Sequence, residues 1–175
     1  MKKAILSIFR SVHVLAQENE ERFPQDVGKK HELKLNSFTM LFFEWVDVSY
    51  EYLINEESSF GTALAFNLGD VTDVRYTLTP FYRRYFSDKF ARGYYVEGFG
   101  MLFSAKNNSD YAGSPNNIVT TETGFGLGFS FGRKFVSKKG FSAESFFGFG
   151  RNLLGSKNDY NEFVGRIGIS LGYRF

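Results

Sequence analysis

Side chains able to do acid–base or metal chemistry are scarce in this sequence. The 175 residues contain two His, at positions 13 and 31, and no Cys. Without Cys there is no disulfide framework, thiolate metal site or cysteine nucleophile. A catalytic His needs a hydrogen-bonded nucleophile and an orienting carboxylate, and nothing near His31 in sequence supplies them. A transition-metal site is not expected from one or two His alone. Glu56 and Glu57 sit in the polar stretch Asn55–Ser59 and read as solvated turn acids. Gly124-Phe125-Gly126-Leu127-Gly128 is too regular for a phosphate loop: that motif needs a helix to follow, whereas here the alternation continues to Gly132. No catalytic, cofactor-binding or metal-ligating residue is therefore assigned, and the chain is read as a non-enzyme.

What the sequence does offer is charge on one face of a repeating pattern. Ile167, Ile169, Leu171, Tyr173 and Phe175 alternate with Gly168, Ser170, Gly172 and Arg174, a period of two that puts the sets on opposite faces of a strand. The same alternation runs through Phe125–Gly132, Phe141–Gly150, Phe60–Leu68 and Val46–Ile54. Eight strands are expected, at about 31–41, 45–54, 59–69, 73–86, 92–104, 119–133, 140–152 and 162–175. No gap between them calls for a helix. Connections near Phe43 and Asp70, from Ser104 to Ile118 and from Leu153 to Asn161 fall at one end. The turns Asn55–Ser58, Ser87–Ala91 and Lys134–Lys139 fall at the other. The fold class is all-β, an eight-stranded antiparallel up-and-down transmembrane β-barrel.

Two closed barrels compete. A lipocalin-like carrier turns bulky apolar residues inward around a ligand, and a membrane barrel turns them outward to lipid. The small face here, mostly Gly, Ala, Ser and single charges, cannot solubilise an exterior but fits a narrow bore, since eight strands enclose only room for side chains. The lipid reading is preferred, with Tyr50, Tyr52, Tyr82, Tyr94, Tyr173 and Trp45 as interfacial aromatics. Inner-face charges are then Glu32, Lys34, Asp47, Glu51, Arg75, Arg83, Glu97, Glu122, Glu144, Arg166 and Arg174. Isolated ions there are costly, so pairs are expected, with Arg83–Glu97 and Glu144–Arg166 as the candidates. Balanced signs in a narrow bore favour an interlocked plug over a selective channel.

The alternation, the hairpin-linked strands and the ending Gly172-Tyr173-Arg174-Phe175 resemble small OmpA/OmpX-type outer-membrane barrels. Leu33-Lys34-Leu35-Asn36, Ser49-Tyr50-Glu51-Tyr52, Pro80-Phe81-Tyr82-Arg83-Arg84-Tyr85 and Gly150-Arg151-Asn152-Leu153 resemble stretches of a poorly characterised Bacteroidota barrel family. The resemblance implies a bacterial outer-membrane location, with Tyr173 and Phe175 as a C-terminal signal for the barrel-assembly machinery. It brings no catalytic activity with it. Some eight-stranded outer-membrane barrels modify lipid A through a His, which leaves a rim enzyme built on His31 as an alternative reading.

The remaining features bound the partners. Residues 1–16 read as a signal peptide, 17–29 as a leader and 30–175 as the barrel domain. Loss of Lys2, Lys3 and Arg10 on cleavage takes the net charge from +2 to −1, so no nucleic-acid partner is expected. No apolar run approaches the roughly 18 residues of a membrane helix. The segment 104–118, rich in Asn, Ser and Gly, is the candidate recognition loop for a surface ligand, with Lys106, Asp110 and Tyr111 as contacts. Outer-membrane lipids are the expected surroundings and a monomer the expected state.

Overall fold

Leu33 and Leu35 alternate with Glu32 and Lys34, and this run forms β1 (His31–Asn36). A computed structural model describes residues 28–69, 74–109, 118–154 and 162–175. After β1 come α1 (Ser37–Phe43), β2 (Trp45–Leu53), β3 (Ser58–Asn67) and β4 (Val74–Phe86). Then follow β5 (Gly93–Ser109), β6 (Ile118–Val136), β7 (Phe141–Leu154) and β8 (Phe163–Arg174). Each strand pairs antiparallel with the next and β1 closes on β8, giving the expected eight-stranded up-and-down barrel. The seam is finished by reciprocal backbone bonds between His31 and Phe175, at 3.0 and 2.8 Å.

The barrel is inside-out relative to a soluble protein. Phe129, Phe131, Phe147 and Phe149 are each more than half exposed, whereas Arg83, Glu97, Lys134 and Arg174 are at most 1% exposed. Glycine-rich stripes face inward and make room for aromatics. Phe81, Tyr95, Phe99 and Phe103 stand opposite Gly61, Gly132, Gly128 and Gly124 in the ladders, and each ring occupies the space a Cβ would need. These rings point into the bore.

Four expectations are corrected. Residues 37–41 are not strand: the Asn36 side chain accepts from Thr39 N at 3.4 Å, capping a helix that ends at Glu44 in a left-handed conformation (φ 58°). Alternation stops at Ser37, and the run Ser37–Phe43 instead turns, so one connection does hold a helix. Strand β5 runs past its expected end at Ser104, pairing Lys106 with Thr121 and Ser109 with Ile118. Lys106 thus belongs to a strand, while Asp110 and Tyr111 lie outside the described residues. Lys134 is not a turn residue; it continues the inward stripe of Ser130 and Gly132 and pairs with Glu144 across the β6–β7 ladder. Trp45 shares the inward parity of Asp47 and Glu51, and lines a cavity rather than an aromatic belt. Residues 1–16 and most of 17–29 lie outside the described part.

Candidate functional site

The bore has two storeys. Its lower part, at the end with the short turns, is an ion network centred on Glu51. One Glu51 oxygen receives Lys34 Nζ at 2.6 Å, Lys134 Nζ at 2.8 Å and Arg83 Nη1 at 3.0 Å. The other receives the hydroxyls of Ser59, at 2.5 Å, and Tyr85. Arg83 reaches on to Glu97 Oε2 (2.6 Å) and Glu144 Oε2 (2.8 Å), its guanidinium lying 4.5 Å from the Phe81 ring centre and 4.4 Å from that of Tyr95. Glu97 also takes Ser130 Oγ at 2.8 Å and Arg166 Nη1 at 2.5 Å. Below, Arg174 holds Glu32 at 3.3 Å and donates to the carbonyls of Phe90 and Ala91, fastening the β4–β5 turn under the barrel. Burying one such ion unpaired costs several kcal/mol, and here each carboxylate faces more than one cation.

Arg83 and Glu97, directly opposite in the β4–β5 register, are in contact. Glu144 and Arg166 do not form the expected pair. The ladder sets Glu144 beside Ser170 and Arg166 beside Gly148, four residues and about 13 Å apart along the strands at ~3.3 Å per residue. Glu144 goes to Lys34 and Arg83, and Arg166 to Glu97. The sequence reading missed Lys134, Tyr85, Tyr95, Ser59 and Ser130. Tyr85 and Tyr95 were within reach, because they sit two residues from Arg83 and Glu97 and so share their face.

Glu32, Glu51 and Glu144 bring carboxylate oxygens within 4.8 Å of one another, the spacing of a cation site. Lys34 and Lys134 already stand between them, so the cation they hold is an ammonium. His31 lies at the exposed rim with Nδ1 2.6 Å from the Tyr50 hydroxyl, among the rings of Tyr50, Tyr52 and Phe175. Among the described residues its contacts are these rings and the Tyr50 hydroxyl. Glu57 pairs with Arg84 at 2.5 Å with both side chains more than half exposed. Tyr173 and Phe175 point outward at the turn end, Tyr173 against Phe141 and Phe175 against His31.

The upper storey, towards α1, is a cavity of about 340 Å³. Ala63, Ala65, Met101, Phe103 and Val164 line it, with Asp47 and Arg166 as charged lining residues. Asp47 accepts from Asn36 Nδ2 at 3.0 Å.

No protein-family model matches the chain, and neither does any curated protein. Among solved structures it is similar to the N-terminal β-barrel domain of Pseudomonas aeruginosa OprF. The TM-score is 0.58, covering 84% of this chain and 96% of that one, at 13% sequence identity. That likeness concerns the fold, which many functions can share.

Proposed function

We propose that this chain is a non-enzymatic outer-membrane barrel: a lipid-embedded scaffold without a through-pore, displaying loops at one end. The observation that carries the reading is the inversion of polarity. Phenylalanines such as Phe129 and Phe149 stand exposed on the wall while Arg83, Glu97 and Lys134 are buried in the bore, the arrangement hydrocarbon surroundings require. Outward Tyr82, Phe86, Tyr94, Phe141 and Tyr173 near the turn end support an interfacial aromatic girdle. The OmpX-type and Bacteroidota resemblances rest on the short stretches quoted above, and with them the assembly role of Tyr173 and Phe175. A monomer surrounded by lipid, with a surface ligand held by the loop around 110–117, completes the reading. Fractionation of the source bacterium tests it. The full chain should sediment with outer membranes, resist carbonate washing and show heat-modifiable gel mobility. Recovery as a detergent-free periplasmic protein would overturn it in favour of a soluble carrier.

A further inference from the structure

The wall of the barrel is incomplete beside its upper cavity. β8 has 12 residues and β1 only six, and their pairing stops at Asn36 opposite Ser170. Above that rung β8 keeps β7 on one side, but its other side meets α1 instead of a strand. Side chains replace the missing ladder: Asn36 Nδ2 donates to the Ile167 carbonyl at 3.2 Å and Ser37 Oγ to that of Ile169 at 2.8 Å. The cavity reaches this seam. Its lining combines inward residues such as Val164 with Phe163 and Ile167, which belong to the outward face, and with Thr39 and Phe43 of α1. It therefore opens sideways through the wall as well as lying within the bore.

From this geometry we infer that the upper cavity is a binding site for one acyl chain of a surrounding lipid, admitted between β8 and α1. The inference rests on the membrane reading above and adds a ligand to it. Three observations support hydrocarbon over other occupants. The walls are mainly aliphatic and aromatic, and an apolar cavity does not hold water well. The charged groups of the lining are already engaged, Asp47 with Asn36 and Arg166 with Glu97, so no charged ligand head is required there. The floor is closed by the ion network, and about 340 Å³ lies at the small end of the roughly 300–1,000 Å³ of ligand pockets, which suits a single chain without its headgroup. The helix at the mouth is apolar and uncovered, with Met40, Leu41, Phe42 and Phe43 all exposed, so the entrance itself faces lipid.

Trp45 lines the cavity and is the chain's one Trp, which supplies the probe. The full chain is reconstituted into phosphatidylcholine vesicles with either brominated or plain acyl chains, and Trp emission is recorded. Contact with a brominated chain should remove most of the emission, and the cavity-filling variants Ala63→Leu and Thr77→Leu should each restore it. Equal quenching in the inserted variants would mean that bulk lipid reaches Trp45 from outside, and the inference fails. Strong quenching by aqueous acrylamide with none by brominated lipid would show a water-filled cavity and also defeat it. So would quenching by an added brominated fatty acid but not by brominated lipid, since that ligand enters from the loop end. Heat-modifiable mobility of each sample separates these results from a failure to insert, which would count against the membrane reading instead.

Discussion

Phe103 stands directly opposite Gly124 across the β5–β6 ladder, and the three atoms closest to a Cβ on that glycine all belong to its ring. The pair behaves as one unit: a large inward side chain and the absence of one facing it. Gly124→Ala should therefore cost about 1–3 kcal/mol by overpacking. On a Phe103→Ala background the same change should cost almost nothing. Urea unfolding of the refolded barrel measures the cycle, and strictly additive losses would show the two sites to be independent.

This pairing also marks how far sequence could lead. Period-two alternation located the strands and which face carries the charges, because burial on one side imposes that pattern within a single strand. It did not orient Phe81, Tyr95, Phe99 and Phe103, whose place inside depends on a glycine on the neighbouring strand. That is a matter of register. Register likewise separated Glu144 from Arg166. Lys134 was missed at a strand end that a run of lysines made look like a turn, although the stripe Ser130–Gly132–Lys134 was there to follow. The helix at 37–43 had its signal in Asn36, a capping residue at the point where alternation stops.

Glu51 should be the least dispensable acid in the chain. Glu51→Ala leaves Lys34, Arg83 and Lys134 short of a shared partner, a loss of about 3–5 kcal/mol. Glu57→Ala removes only the exposed partner of Arg84 and should cost about 0–1 kcal/mol. Unfolding midpoints of the two variants should differ accordingly, and equal values would remove the network from any account of stability.

Planar-bilayer recordings of the full chain should show no steady unitary conductance, because Arg83, Glu97, Lys134 and Arg174 occupy the lower bore. A reproducible conductance step would replace the scaffold reading with a channel.

His31→Ala should leave lipid A unchanged in mass spectra of cells expressing the variant. Its cost is the hydrogen bond to Tyr50, about 0.5–1.5 kcal/mol, together with the ring contacts to Tyr52 and Phe175. A lipid species that disappears with the histidine would revive the enzymatic alternative.

Replacing residues 110–117 with a short Gly-Ser link should preserve insertion and heat-modifiable mobility while abolishing any surface binding. Extending the cut to Lys106 removes paired rungs, Lys106–Thr121 through Ser109–Ile118, and should lower the unfolding midpoint. Retained binding without 110–117 would move recognition to another loop.

The ion network draws on all eight strands: Lys34, Glu51, Ser59, Arg83, Glu97, Lys134, Glu144 and Arg166 come from β1 through β8 in order. On the membrane reading proposed above, a curled but unclosed sheet would present these ions to hydrocarbon with their partners still distant. On that reading half-formed intermediates would be penalised, and the network of ions and the Ser59 hydroxyl would favour the completed cylinder.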